Sequence, residues 1–71
     1  MSEFTETVYE ALTDEWQSTH DIGTKVCQGL DWPSHRNKVS HHLRVLVANG
    51  RAEERTSESS GIRFLEWRRI A

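Results

Sequence analysis

Apolar positions in the first third of the chain recur at helical spacing. Phe4, Val8, Leu12 and Trp16 fall every fourth residue with Ala11 beside them, which predicts a first helix over about 5–17 with that stripe turned inward. Acids gather near its start, where the positive end of a helix dipole favours them. Ser18-Thr19-His20-Asp21 then sets a hydroxyl cap three residues ahead of an acid, the opening of a second helix over about 19–29. Its buried side is Ile22 and Val26, with Cys27 adjoining. Gly23 within it costs about 1 kcal/mol relative to alanine, which makes sense where another helix crosses closely. Gln28-Gly29-Leu30-Asp31-Trp32-Pro33 breaks the pattern, since Gly29 can end one helix and Pro33 begin the next.

A third helix follows over about 34–49, with Ser34 as N-cap and Val39, Leu43, Leu46 and Val47 as its apolar face. Asn49-Gly50 stops it, with Gly50 in the left-handed capping position. Beyond that point the helical period gives way to alternation. Arg51 to Arg55 and Ile62 to Arg69 read as two short strands around Thr56-Ser57-Glu58-Ser59-Ser60-Gly61, a polar turn longer than a two-residue hairpin loop. Leu65 and Trp67 fall on one face of the last strand, with Ile62, Phe64 and Glu66 on the other, and the first face is expected to be buried. The expected fold is mostly α with a small β-hairpin: three helices and then the hairpin, in a single domain over 1–71.

Length and composition narrow the class. Seventy-one residues are near the lower size at which one core suffices, and three tryptophans add buried area. No apolar run matches a membrane span, and the N-terminus lacks the basic and apolar regions of a signal peptide. Cys27 stands alone and cannot form an internal disulfide, so a cytoplasmic protein is expected. The formal net charge of −2 argues against a general nucleic-acid binder, but its distribution argues the other way. Residues 1–31 carry seven acids and one base, a net −6; residues 32–71 carry eight bases and four acids, a net +4. Such asymmetry lets one face meet phosphate while the other repels it.

Val39-Ser40-His41-His42-Leu43-Arg44-Val45-Leu46, followed by Asn49-Gly50, resembles the recognition helix of winged helix-turn-helix regulators of the ArsR-like and MarR-like families. Their pattern is a valine-serine pair, a histidine-leucine pair, a second leucine and a terminal glycine. Ile22-Gly23 with Val26 resembles the preceding helix, and the hairpin stands where those families carry the wing. The resemblance spans roughly 5–69 and implies a sequence-specific duplex DNA-binding protein, a small transcriptional regulator of phage, plasmid or prokaryotic type. The chain departs from the pattern in three ways. Arg51-Ala52 replaces the usual leucine and valine, the turn from Leu30 to Val39 is about two residues longer, and the flanking dimerising helices are absent. A monomer and a dimer through another surface both stay open.

The resemblance implies helix 3 in the major groove. Ser34, His35, Arg36, Asn37, Lys38, Ser40, His41 and Arg44 are the candidate contacts there. Arg36 suits guanine and Asn37 adenine, each contact worth roughly 1–3 kcal/mol of discrimination, while Ser34, Ser40 and Arg44 suit phosphates. In the wing the candidates are Arg55, Ser57, Ser59, Ser60 and Arg63, opposed by Glu53, Glu54 and Glu58. An ordinary solvated helix face and hairpin is the plainer reading of the same residues. His41 and His42 are adjacent and diverge by about 100° on a helix. His35 and His42 share a face without a third ligand, so no metal site is expected. No phosphate loop or nucleophile–base pair stands out; neither an enzyme nor a cofactor is expected. The expected partners are duplex DNA and, further, a second copy or another regulatory protein. A protein-interaction adaptor without DNA binding is the alternative: one exposed ridge of Arg36, Lys38 and Arg44 with the wing arginines favours DNA, and one exposed apolar patch of Trp32, Phe64 and Ile62 favours a protein partner.

Overall fold

The computed structural model describes residues 3–28 and 32–70, with the backbone alone for residues 32 and 33. In chain order it comprises α1 (Glu3–Ala11), β1 (Gln17–Ser18), α2 (Thr19–Val26), a 3-10 turn (Trp32–His35), α3 (Arg36–Ala48), β2 (Ala52–Ser59) and β3 (Ile62–Arg69). The three strands form one antiparallel sheet in the order β1-β3-β2.

The first helix is shorter than its apolar stripe. It ends at Ala11, and the Leu12 N–H donates to the Tyr9 carbonyl at 3.1 Å. A local turn then takes over, with the Glu15 N–H donating to the Thr13 hydroxyl at 3.1 Å. Helix α1 has no basic residue in its last turn, and distant cations cover its final carbonyls instead. The Arg69 guanidinium donates to Tyr9 O at 3.0 Å and Lys25 Nζ to Ala11 O at 3.3 Å. Trp16, which continued the spacing, lies outside the helix. The Arg55 and Arg68 guanidinium carbons stand 4.4 and 4.7 Å from its ring centroid.

Strand β1 was not anticipated. It pairs Gln17 with Trp67 and Ser18 with Glu66 before the chain turns into α2. Ser18 is the N-cap, its hydroxyl accepting from the Asp21 N–H at 3.1 Å. Helix α2 ends at Val26. The expected break at Gly29, with Leu30 and Asp31, lies outside the described residues, as does the Trp32 side chain. Helix α3 begins at Arg36 rather than Ser34, and its N-cap is His35, without a side-chain cap bond. The serine belongs to the preceding 3-10 turn. At the other end the Arg51 N–H donates to Leu46 O and the Gly50 N–H to Val47 O, both at 3.0 Å, with Gly50 at φ 73°. That pair of bonds is a Schellman stop.

The hairpin corrects the expected turn. Its strands run through the serines to Ser59 and Ile62, leaving Ser60 (φ 53°) and Gly61 (φ 80°) as a two-residue loop. Positive φ at both positions is a type I′ turn, whose twist suits a hairpin. The core gathers Val8, Leu12, Ile22, Leu43, Leu46 and Trp67, each at most 1 % exposed, with Val39, Cys27 and Ala52. Each of these large aliphatic side chains contributes about 1.5–3 kcal/mol by leaving water. Trp67 lies on the buried face of β3 and Leu65 beside it is half-buried, as alternation required. Among the described residues, no helix is long and apolar enough to cross a membrane.

Candidate nucleic-acid interface

Helix α3 divides its faces sharply. Val39, Leu43 and Leu46 are buried, while Arg36, Asn37, Lys38, His41 and Arg44 are exposed. From residue 32 to residue 52 the sequence holds no acid, and among the described residues no salt bridge involves Arg36, Lys38 or Arg44. The exposed groups do not form one ridge. At 100° per residue, Arg36 and Lys38 stand about 160° apart. Asn37, His41 and Arg44 occupy the outermost line between them. Arg36 and Ser40 lean toward β3, where they line a groove. Lys38 leans toward α1, with Nζ 4.5 Å from the Phe4 ring centroid.

His42 faces inward from the Lys38 flank. Its Nδ1 lies 2.7 Å from the Thr5 hydroxyl, and its ring meets Phe4 edge-on at 4.9 Å. Loss of water, then the neighbouring His41 and Lys38 charges, hold its pKa below the usual histidine value. It locks α3 to α1, leaving His41 as the exposed member of the pair. Ser34 is exposed and His35 half-buried in the 3-10 turn that leads into the helix.

The hairpin contributes less free charge than its composition promised. Residues opposite each other across the strands share a face. Glu53 with Arg68, Arg55 with Glu66, Ser57 with Phe64 and Ser59 with Ile62 lie on the outer one. There Arg68 Nε donates to Glu53, and Arg55 donates to Glu66 at 2.8 Å while stacking on Trp16. The Ser57 hydroxyl donates to the same Glu66 oxygen. That bond and the Arg55 guanidinium hold the Glu66 carboxyl below the usual carboxylate range. Arg55 and Ser57 are therefore committed to Glu66 and do not join the α3 surface. Arg63 is different: its partner Glu58 is 3.6 Å away, and the two side chains are 80 % and 60 % exposed. Such a pair is worth little and exchanges readily. Ser59 and Ser60 are exposed at the tip.

Arg51 and Arg69 are also committed. Arg51 pairs with Glu6 at 3.4 Å, and their guanidinium carbons stand 3.9 and 4.6 Å from the Tyr9 ring centroid.

Between α3 and the hairpin runs the open groove of about 500 Å³. Thr19 and His20 of α2, Arg36 and Ser40 of α3 and residues 62–65 of β3 line it. Thr19 and His20 were not singled out from sequence, because nothing local links α2 to β3. Among the described residues its lining contains no carboxylate. Ile62, 68 % exposed, borders it. Comparison with protein-family models, curated proteins and solved structures found no match to this chain.

Proposed function

We propose that this chain is a winged helix-turn-helix protein that binds duplex DNA and serves as a small transcriptional regulator, with α3 in the major groove. The observation that carries the reading is α3 itself: one side buried, the other exposed, cationic, rich in hydrogen-bonding groups and without an acid. A helix of that kind fits the width and the donor–acceptor edges of the major groove. The succession helix, strand, two helices and hairpin, with a sheet ordered β1-β3-β2, supports it, as a winged helix is built in that order.

The geometry redistributes the roles. A helix lying in the groove turns its outermost line to the bases and its flanks to the two backbones. Asn37, His41 and Arg44 are then the base-reading groups, and Arg36 and Lys38 the phosphate contacts. This exchanges the parts that the resemblance implied for Arg36 and Arg44. Arg63, with Ser59 and Ser60 at the tip, supplies the wing's contact to backbone or minor groove.

Fluorescence anisotropy with labelled duplexes from the gene's own upstream region, against scrambled duplexes and across a salt series, tests the reading. Tighter, steeply salt-sensitive binding to the native duplex is expected. R44Q should change base preference by roughly 1–3 kcal/mol at one position, whereas R36Q and K38Q should weaken all duplexes alike. No binding to any duplex at low salt sinks the proposal and leaves the adaptor reading.

A further inference from the structure

The groove beside β3 occupies the row that β1 leaves empty. Strand β1 pairs with β3 at Trp67 and Glu66, and one residue later the chain turns into α2. The Ile70 N–H donates to Arg51 O at 3.2 Å, which marks that pair as hydrogen-bonded. In an antiparallel ladder such pairs alternate, so residues 63, 65, 67 and 69 point their backbone groups away from β2. Two bonds agree: the Arg69 N–H donates to Thr13 O at 2.7 Å, and the Thr19 hydroxyl to Leu65 O at 3.5 Å. Beyond Leu65 no β1 residue remains to pair, and the same alternation turns the backbone groups of Arg63, a lining residue of the groove, to that side.

The lining describes what fits there. Ile62, Phe64 and Leu65 offer apolar surface, and Arg36 and Arg63, the latter loosely paired with Glu58, stand around it with His20. We propose that this groove docks an extended acidic segment of a partner protein, which adds to the β3 edge as a short strand in the vacated row. The backbone of such a segment pairs with Arg63, its apolar side chains lie against Ile62 and Phe64, and its carboxylates meet Arg36 and Arg63. Strand addition of this kind draws affinity from main-chain bonds and specificity from alternate side chains. Because Arg36 and Ser40 also belong to the α3 surface, an occupied groove competes with a DNA backbone on that flank.

The test uses the whole chain and a short labelled peptide alternating glutamate with leucine. Controls carry lysine for glutamate, or N-methyl groups on the edge-facing amides. The acidic peptide should bind with shifts concentrated at the Arg63 amide in heteronuclear NMR. The N-methylated and lysine peptides should bind at least tenfold more weakly, and R36Q/R63Q should cost a similar factor. Equal binding of the N-methylated peptide overturns strand addition; equal binding of the lysine peptide overturns charge recognition. Shifts centred on α1 or on the outer sheet face overturn the location. None of these measurements requires DNA, so they succeed or fail independently of the duplex reading. Where the protein does bind duplex, saturating peptide should weaken that binding at least several-fold, and unaltered duplex affinity refutes the competition.

Discussion

Replacing Thr19 by valine tests the joint on which the α2–sheet arrangement depends. The indole N–H of Trp67, a side chain with no solvent exposure, donates to the Thr19 hydroxyl at 2.7 Å. The same hydroxyl reaches Leu65 O at 3.5 Å, so one oxygen ties the first residue of α2 to two positions of β3. Valine keeps the shape and removes the acceptor. A buried donor left unsatisfied costs about 1–3 kcal/mol. Thr19 is itself half-buried, so water reaches part of the site and the loss should fall near 1–2 kcal/mol. In a domain of this size each kcal/mol lowers Tm by about 4–8 °C, so a fall of roughly 10 °C is expected by circular dichroism. The W67F and T19V/W67F variants complete the cycle. Once the indole is gone, the further cost of T19V should largely vanish. A T19V protein within about 0.5 kcal/mol of wild type, or fully additive costs, refutes the hydrogen bond as the link.

Other expectations follow from the same geometry. His42 prefers its neutral ring in the folded state, so the unfolded chain binds more protons at acid pH. Stability should hold above the ordinary histidine value of 6.5 and decline below it; H42Q should flatten that part of the curve in urea midpoints taken on both sides. At the hairpin loop, G61A should cost about 1 kcal/mol because its φ is positive, while S60N should stabilise slightly by creating the asparagine-glycine pair such turns favour. Chemical denaturation reads both, and a stabilising G61A contradicts the assigned turn. On duplex DNA, the plot of log affinity against log salt should have a slope of about −3, from Arg36, Lys38 and Arg63 at roughly −0.9 per phosphate neutralised. A slope near −5 would mean that the glutamate-paired Arg51, Arg55 and Arg68 also reach phosphate.

Local signals carried α3 and the start of α2. The Schellman stop needs only a glycine free to take a positive φ after an apolar period, and Gly50 provides it within the sequence window. The Ser18 cap is equally local. The end of α1 was hidden because it is set from a distance: Trp16 keeps the helical spacing, yet it packs against Arg55 and Arg68 from outside the helix. Strand β1 is two residues long and owes its existence to β3. The hairpin shows how one misplaced turn conceals a site. Sought by alternation of apolar residues, the strands stopped short of Thr56–Ser59, whose polar side chains pair across the sheet rather than with the core. Once Ser60-Gly61 is the loop, the register follows, and Arg55 falls opposite Glu66. Without that register, the bonds of Arg55 and Ser57 to Glu66 are not legible in the sequence.

Charge pairing also explains how a chain of net −2 presents a cationic face. Glu6, Glu53 and Glu66 engage Arg51, Arg68 and Arg55, and Arg69 is spent on the carbonyls that end α1. Exposed ion pairs stabilise little, so their consequence here is mainly one of placement. They hold three arginines against Tyr9, Trp16 and the sheet, as the carbonyl bonds hold Arg69, and they cancel charge on the hairpin's outer face. What remains without an ion pair among the described residues of the second half is Arg36, Lys38 and Arg44 on α3 and Glu54 on β2, with the loosely paired Arg63 at the hairpin. A potential confined to one helix orients an approaching anion more sharply than the same charge spread over the surface. The hairpin then acts chiefly as a rigid wall for the groove and a carrier for Arg63, and the sign and position of the field are set by α3.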